Sequence, residues 1–371
     1  MNPFSYGTVV RDSCFFDREK ECDRIVNTLS GGNNLVLYAP RRFGKTSLVF
    51  KAMESLNKAG FTCVYFDFMQ VYSVESFVRL YSKTLSKHQK NIRKFARLFS
   101  SLVSSLRPVI TIGNDGTPEF SIDFANETVD ETLVSDLLAL PEKMATKEKR
   151  ILIFFDEFQE VEKLKSINFE AILRSKIQQQ QYVNYLFLGS KTHLIKEMFS
   201  DRNRPFYNAA SQMTLGYLPE KDTVNYIQTK FSSFGITINE ATVKYMATVT
   251  KRIPHYIQLL AAEIWQYVIT DKKIVTKAIV DLCVQQIIAL KNDYYMELFD
   301  RQSKTKKSLL VALARSGKSI YSSDYIRSNT LPSASTLQRA VKELVNVGII
   351  DKMKDEYFIT DPFFQLFLLE F

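Results

Sequence analysis

The stretch "NNLVLYAPRRFGKTSLVFKAM", residues 33–53, decides the fold class of this chain. Its apolar run at 34–38 predicts a strand, and the pattern that starts near Gly44 predicts a helix. Residues 39–46 between them fill every position of the phosphate-binding loop G-x-x-x-x-G-K-[ST] except the first. The backbone N–H groups of such a loop, together with the N-terminus of the following helix, form a cradle for phosphate.

The departure from the pattern is Ala39, which stands where glycine is usual. Alanine is compatible with the turn if its φ is negative, because only a positive φ strongly favours glycine. Lys45 is predicted to reach the β- and γ-phosphates of a nucleotide, and the Thr46 hydroxyl to ligate Mg²⁺. We expect the nucleotide site to be lined also by Pro40, Arg41, Arg42, Phe43, Gly44 and Ser47.

A second motif is "ILIFFDEFQEV" at 151–161. An apolar strand that ends in acidic residues is typical of a Walker B element, and ligands bind at the carboxyl ends of parallel strands. Asp156 is therefore predicted to hold Mg²⁺ near the phosphate loop, and Glu157 to polarise an attacking water. Either motif alone could be an ordinary helix start or a solvated turn. The two together predict an ATP- and Mg²⁺-dependent hydrolase.

A weaker pattern, "YLFLGSKTHLI" at 185–195, places Ser190 and Lys191 after another apolar strand. Ser190 is predicted to act in catalysis by sensing the γ-phosphate, with Lys191 as an electrostatic helper. A helix N-cap at Ser190 or Thr192 explains the same residues equally well.

Periodicity divides the chain into three parts. Residues 1–218 alternate short apolar strands with helices, which predicts an α/β core with a parallel sheet covered on both faces. A β-hairpin insertion is predicted at about 108–124, around Asn114 and Asp115. Residues 219–300 predict an all-helical lid, and residues 301–371 predict a winged helix-turn-helix.

The predicted winged helix carries basic residues that are candidates for contact with DNA. They are Arg339 and Lys342 on the recognition helix and Lys352 and Lys354 at the wing. Three acidic residues in the same wing weaken the positive field, and winged helices also dock proteins. The net charge of +9 over 371 residues permits a polyanionic partner without requiring one.

The composition excludes several classes of protein. Four cysteines without a C-x-x-C pair and three histidines argue against a zinc site or a disulfide framework. No apolar run approaches the roughly 18–20 residues that span a bilayer. The N-terminus lacks a signal-peptide pattern. We therefore expect a soluble, cytoplasmic protein.

Several segments together resemble a known family. In chain order they are "FFDREKECDRI", "APRRFGKTSLV", "ILIFFDEFQEV", "RPFYNAASQMTLGYLP" and "KRIPHYIQLLA". This set is similar to the prokaryotic, archaeal-type ATPases that belong with the AAA+ and STAND P-loop proteins, and the resemblance runs from about Phe16 to Gln258. The tail "DEYFITDPFFQLFL" resembles the winged-helix end of that family.

The resemblance implies contacts on the base side of the nucleotide, from Phe16 or Arg18 at the "REKE" segment and from Pro254 near the lid. Arg252 departs from the family's usual glycine two residues before this proline. An arginine expected after the "PFY" segment is missing. This leaves three candidates for a finger supplied to a neighbouring copy in a homo-oligomer, Arg174, Arg202 and Arg204.

The activity that the family implies is a nucleotide-driven switch, in which ATP binding and hydrolysis rearrange the lid and the winged helix. The alternative is a nucleotide-stabilised DNA-binding or scaffold protein with little turnover that partners a separate effector. Ala39, Arg252 and the missing arginine favour this alternative.

Overall fold

The computed structural model describes residues 2–8, 16–103, 106–113, 116–124, 129–270 and 274–371. The chain divides into two compact units. The sheet unit comprises Arg18–Ala39 and Leu48–Leu215, and the lid unit comprises Met1–Asp17, Pro40–Ser47 and Gly216–Phe371. Cys14 and the predicted turn residues Asn114 and Asp115 lie outside the described residues.

The sheet unit alternates strands and helices along most of its length. Its strands are β1 (Leu35–Tyr38), β2 (Thr62–Asp67), β3 (Arg107–Ile112), β4 (Pro118–Asp123), β5 (Ile151–Asp156), β6 (Val183–Gly189) and β7 (Ser211–Thr214). Its helices are α1 (Glu19–Ser30), α2 (Lys45–Lys58, which begins in the lid unit), α3 (Val74–Ser86), α4 (Ile92–Leu102), α5 (Glu131–Met144), α6 (Phe169–Gln179) and α7 (Thr192–Ser200).

Within the described ranges, five of these strands form one parallel sheet in the order β2–β5–β6–β1–β7. Every residue of β5 and β6 is buried, because both strands are apolar on both faces and lie inside the sheet. The remaining two strands, β3 and β4, pair with each other as an antiparallel hairpin. The predicted parallel-sheet core is confirmed.

The register aligns the carboxyl ends of the strands along one edge of the sheet. Tyr38 at the end of β1 pairs with Gly189 at the end of β6, and Asp67 of β2 pairs with Asp156 of β5. Near this edge, Phe155 of β5 packs against Phe68, with their ring centroids 5.2 Å apart. Aromatic packing of this kind holds the strand ends in fixed positions.

The lid unit is helical up to the winged helix. Its helices are α8 (Glu220–Ser232), α9 (Glu240–Val249), α10 (Pro254–Val268), α11 (Lys277–Leu290), α12 (Asn292–Asp300), α13 (Lys304–Arg315), α14 (Ser323–Ser328), α15 (Ala334–Asn346) and α16 (Pro362–Leu368). Its strands are β8 (Ile350–Met353) and β9 (Glu356–Ile359), which form an antiparallel hairpin.

Elements α13 to β9 adopt the predicted winged-helix order of three helices followed by a two-stranded wing. The recognition helix α15 buries Leu337, Val341 and Leu344. Helix α16 closes the winged helix against the lid, where Phe363 packs on Tyr256 of α10 at 5.7 Å. None of the helices in the described part of the chain is long and apolar enough to cross a membrane.

Candidate nucleotide-binding site

The phosphate loop, residues 40–47, links β1 to α2. Arg42 and Gly44 have φ values of 73° and 82°, whereas Ala39 is not among the non-glycine residues with positive φ in the described chain. Alanine at position 39 therefore does not have to adopt a left-handed backbone conformation. The position in this loop that favours glycine is Gly44. The buried Lys45 reaches back across the turn, with Nζ donating to the Pro40 carbonyl at 3.0 Å.

The first turn of α10 lies against this loop. A Cβ atom placed on Gly44 would be 3.7 Å from Cγ of Pro254, the first residue of the helix. The backbone N–H of His255 donates to the Arg42 carbonyl at 3.4 Å. The Arg42 guanidinium hydrogen-bonds the Tyr256 hydroxyl and lies 5.1 Å from the centre of its ring. Three successive lid residues thus contact the loop.

The same guanidinium also contacts the winged helix. Nη1 of Arg42 lies 3.2 Å from Oδ2 of Asp361, whose other oxygen accepts from the backbone N–H groups of Phe363 and Phe364 as the N-cap of α16. The Tyr295 hydroxyl donates to the same Oδ2 at 3.2 Å. Asp361 is therefore a junction of loop, lid and winged helix, and no local pattern in the sequence indicates this role.

Charge and burial shift the pKa values of Arg42 and His255, which lie at or beside this junction. Burial opposes the charge on Arg42, but Tyr256 and Asp361 together raise its pKa above the ordinary value. Burial, with help from Arg42 and Lys291, lowers the pKa of His255 to about 4. At neutral pH the imidazole is uncharged beside a charged arginine.

The predicted base-side residues are found at two places. Phe16 stacks on Tyr226 of α8, with ring centroids 3.7 Å apart and planes 9° from parallel. Arg18 belongs to the sheet unit, where it is buried before α1 and pairs with Glu21 at 2.8 Å. Its φ of 78° is left-handed.

The acidic motif lies at the carboxyl end of β5. Asp156 is buried, accepts a hydrogen bond from the Tyr65 hydroxyl at Oδ2, and accepts one from the Glu157 backbone N–H at 2.8 Å through Oδ1. Burial and Asp156 raise the pKa of Tyr65, so the phenol keeps its proton and donates it to the carboxylate. Glu157 follows with a left-handed φ of 48°. These contacts fix the orientation of the Asp156 carboxylate.

Glu157 is held by residues from two elements. Its Oε2 accepts from Ser190 Oγ at 2.6 Å, from the Ser190 backbone N–H at 3.3 Å and from Gln159 Nε2 at 2.5 Å. The structure therefore brings together two predicted catalytic residues, Glu157 and Ser190. Gln159 was missed, although its position in "DEFQ" two residues after the glutamate was visible in the sequence.

Gly189 permits this arrangement by its lack of a side chain. A Cβ atom there would lie 2.0 Å from Ile195 of α7 and 2.7 Å from Gln159 Oε1. The neighbouring Lys191 pairs with Glu160 at 3.0 Å. Burial opposes ionisation of Glu160, but the hydrogen bonds from Lys163 and Lys191 lower its pKa. The charge of Lys191 is therefore engaged in an ion pair.

Comparison with known families agrees with this geometry. The family of ATPase domains found predominantly in Archaea matches residues 15–188, and a probable winged helix domain matches residues 293–370. The chain carries an archaeal-type ATPase domain and a winged helix domain. Among curated proteins, no sequence match is found.

Solved structures similar to this chain include a Walker-type ATPase of Pyrococcus abyssi. It has a TM-score of 0.65 at 17% identity, over 96% of this chain and 97% of that one. The ORC2 protein of Aeropyrum pernix, solved in ADPNP–ADP complexes, has a TM-score of 0.59 at 12% identity, over 100% and 96% of the two chains. Drosophila ORC bound to DNA has a TM-score of 0.50 at 11% identity, over 98% and 89%. At such identities the similarity is one of fold, and it confirms the predicted P-loop ATPase core with a winged helix.

The acidic motif at the end of β5 fits the chemistry of Mg²⁺ binding. In the part of the chain that the structure describes, no group of three or more His, Cys, Asp or Glu residues could hold a metal ion by itself. Mg²⁺ in ATPase sites characteristically takes only one or two carboxylates, with phosphate and water oxygens as its other ligands. Within the sheet unit, the buried Asp156 is a carboxylate of that kind.

The three arginine candidates differ in their surroundings. Arg204 forms ion pairs with Glu162 at 3.0 Å and Glu170 at 2.6 Å. Burial opposes its charge, but these carboxylates raise its pKa. Arg202 is exposed, and Arg174 is half-buried on α6. Of the three, Arg204 is thus engaged in holding its own fold.

The four basic candidates of the winged helix are exposed. Arg339 and Lys342 project from α15 opposite its buried face, and Lys352 and Lys354 lie on the wing. Nζ of Lys352 lies 5.5 Å from the centre of the Tyr357 ring. These side chains are accessible to a partner from solvent.

Proposed function

We propose that this protein is a Mg²⁺-dependent ATP hydrolase that acts as a nucleotide-driven switch. The observation that carries the proposal is the joint presence of the Gly44-Lys45-Thr46 loop and the Asp156-Glu157 pair in a matched ATPase domain. When bound, Mg²⁺ neutralises phosphate charge and orients the γ-phosphate. In this proposal Lys45 and Thr46 bind the phosphates and the metal, and Asp156 binds the metal.

Glu157 is the proposed base that orients the attacking water. A carboxylate in that role needs a fixed position, and the hydrogen bonds from Ser190 Oγ at 2.6 Å and Gln159 Nε2 at 2.5 Å supply one. Ser190 is proposed to act on the γ-phosphate through this contact. This role of Ser190 depends on its hydrogen bonds to Glu157, which join the residues that follow β5 and β6.

The switch part of the proposal rests on Arg42. Its contacts to Tyr256 and Asp361 link the phosphate loop to the lid and the winged helix within one unit. A nucleotide that changes the loop conformation would therefore act on both. We place the working parts at 1–218 for the ATPase core, 219–300 for the lid and 301–371 for the winged helix. The family match from residue 293 supports a winged-helix boundary close to the last of these.

The test is phosphate release from ATP by the purified chain, with matched variants. We expect Lys45→Ala to lose ATP binding, and Glu157→Gln to bind ATP with wild-type affinity but lose at least about 100-fold in turnover. The control should lie away from Glu157, so a change at Gln159, which contacts it, is unsuitable. Gln181→Ala, a change at an exposed position two residues before β6, serves instead. Full turnover in Glu157→Gln would remove that residue from its role.

The coupling is tested separately by nucleotide release. Asp361→Asn keeps an oxygen that caps α16 but removes the charge that faces Arg42. We expect ADP labelled with a fluorophore to dissociate at least about threefold faster from this variant, because one contact that holds the loop has been weakened. An unchanged release rate would argue against the switch and leave the hydrolase assignment intact.

A second candidate function is DNA binding with little turnover. It is favoured by the exposed Arg339, Lys342, Lys352 and Lys354 and by the fold similarity to Drosophila ORC, which was solved bound to DNA. Affinity for duplex DNA should then fall steeply with salt, and Lys342→Gln should weaken it uniformly across sequences. A phosphate-release assay with and without DNA separates the two functions.

A further inference from the structure

A cavity lies between the lid and the winged helix, inside the lid unit. It has a volume of about 510 Å³, within the range of roughly 300–1,000 Å³ that small-molecule sites occupy. None of the described residues that line it belongs to the phosphate loop at 40–47, and none is a basic candidate of α15 or the wing. It therefore lies beside the phosphate loop and the basic surface of the winged helix without containing the residues named for either.

The charge of this cavity is positive. Four basic and two acidic residues line it: Lys251, Arg252, Arg315, Lys318, Glu220 and Glu356. Lys318 and Glu356 form an ion pair with each other at 3.1 Å. Lys251, Arg252 and Arg315 have no ion pair within the described residues, so most of the positive charge is left for a ligand.

Lys251 is held partly away from water, and this burial lowers its pKa to about 8. Both Lys251 and Arg252 have left-handed φ values, 51° and 55°, at the end of α9. A left-handed backbone is unfavourable for a residue with a side chain. The backbone hydrogen bonds from Arg252 N to Ala247 O at 2.9 Å and from Lys251 N to Thr248 O at 3.1 Å hold this turn in place. The backbone of both basic residues is therefore fixed by the fold.

The rest of the lining suits a planar, hydrogen-bonding ligand. Tyr217, Tyr357 and Phe358 supply aromatic surface. Gln365 donates from Nε2 to the Ala314 carbonyl at 2.6 Å, whereas its Oε1 is buried without a hydrogen-bond partner among the described residues. A buried acceptor left unpaired is unfavourable, and an N–H donor from a ligand would satisfy it.

We propose that this cavity binds a nucleoside monophosphate group. The phosphate would pair with Lys251, Arg252 and Arg315, the base would pack on the aromatic residues, and a ring or amino N–H would reach Gln365 Oε1. The same chemistry is offered by a free mononucleotide and by the 5′-phosphorylated end of a nucleic-acid strand. The cavity also borders the loop, because Tyr217 packs on Phe43 at 5.5 Å between ring centroids.

The experiment uses the full chain with Lys45→Ala, so that binding at the phosphate loop does not contribute. Titration calorimetry would compare 5′-AMP and 5′-GMP with adenosine and with inorganic phosphate. A second arm would compare a 5′-phosphorylated oligothymidylate of eight nucleotides with its 5′-hydroxyl form. We expect binding by the monophosphates, or by the phosphorylated strand in preference to its 5′-hydroxyl form, with the partial ligands at least about tenfold weaker.

The variants locate the site. Lys251→Met and Arg315→Gln should each weaken binding about tenfold or more, and Lys251→Arg should retain it. The matched control is Lys244→Gln, which removes an exposed lysine of α9, the helix that precedes Lys251; there Lys244 pairs with Glu240 at 2.7 Å. Thermal melting of each variant checks that it is folded.

Three results would overturn the proposal. They are the absence of binding by any of the monophosphates and the phosphorylated strand, binding that survives both Lys251→Met and Arg315→Gln, and equal binding of the two strands that is lost in Lys342→Gln. The last result would assign the interaction to the recognition helix. None of these readouts depends on ATP hydrolysis, so failure here is distinguishable from failure of the proposed function.

Discussion

Arg42 and Asp361 are 319 positions apart in the chain, yet Nη1 of the first lies 3.2 Å from Oδ2 of the second. One belongs to the phosphate loop, and the other caps the last helix of the winged helix domain. Asp361 is mostly shielded from water, with 14% of its side chain exposed, while Arg42 is 43% exposed. The pair therefore differs from a fully exposed ion pair, whose charges water screens on both sides.

The first prediction concerns the strength of this pair. In a double-mutant cycle with Arg42→Gln and Asp361→Asn, we expect a coupling of about 0.5–1 kcal/mol in the free energy of unfolding. The control cycle is Lys83→Gln with Glu119→Gln, a pair at 2.7 Å whose members are 41% and 42% exposed. Chemical denaturation measures both. Equal coupling in the two cycles would mean that the partial burial of Asp361 adds nothing.

A second prediction separates two roles for Ser190. If it acts by holding Glu157, Ser190→Ala should slow turnover about tenfold and leave the affinity for ADPNP unchanged. In a Glu157→Gln background it should then have little further effect. If Ser190 instead contacts the γ-phosphate directly, the affinity for ADPNP should fall relative to ADP in both backgrounds. Equilibrium binding of the two nucleotides decides between them.

A third prediction concerns the residue that departs from the loop pattern. Ala39 is 1% exposed and has no positive φ, so Ala39→Gly should lower the free energy of unfolding by about 1 kcal/mol without tightening ATP binding. Gly44→Ala should weaken ATP binding, because its φ of 82° is strained for alanine. Gly60→Ala is the control, with a φ of 92° and open space around it. Tighter ATP binding by Ala39→Gly would show that the loop is impaired in its present form.

Much of this fold was predictable from the sequence, and the reason is visible in β5 and β6. Strands buried on both faces must be apolar at nearly every position, so a continuous apolar run in the sequence predicts them. The strand β7, Ser211–Thr214, was missed because it is largely polar and forms through its pairing with β1. Its existence depends on tertiary contact, which local propensity does not encode.

The site shows the same division. The loop and the acidic motif are local patterns in which residue type and spacing indicate the chemistry, so both could be predicted from the sequence. The hydrogen bonds of Ser190 to Glu157 and of Arg42 to Asp361 join residues 33 and 319 positions apart. Such partners follow from how the elements pack, so the sequence identified the residues of the loop and the motif but not what holds them.

The last prediction is a pH dependence at the lid. The pKa of His255 is about 4 in the folded protein, lowered by burial and by Arg42 and Lys291 against the opposing charge of Asp361, from an ordinary value of 6.5. Between these values the unfolded state binds more protons than the folded state. The free energy of unfolding should therefore be unaffected by this group above pH 6.5 and fall as the pH drops towards 4, by at most about 1.4 kcal/mol per pH unit.

His255→Gln removes this titration, so the variant should lose less stability than the wild type between pH 7 and pH 5, measured by chemical denaturation. Arg42→Gln should give an intermediate slope, because it removes one of the charges that lower the pKa of His255 and leaves the burial in place. An identical slope in His255→Gln and the wild type would show that the imidazole is free to protonate in the folded protein. The contact of its backbone N–H with the Arg42 carbonyl, at 3.4 Å, would then hold a charged and solvated side chain beside the phosphate loop.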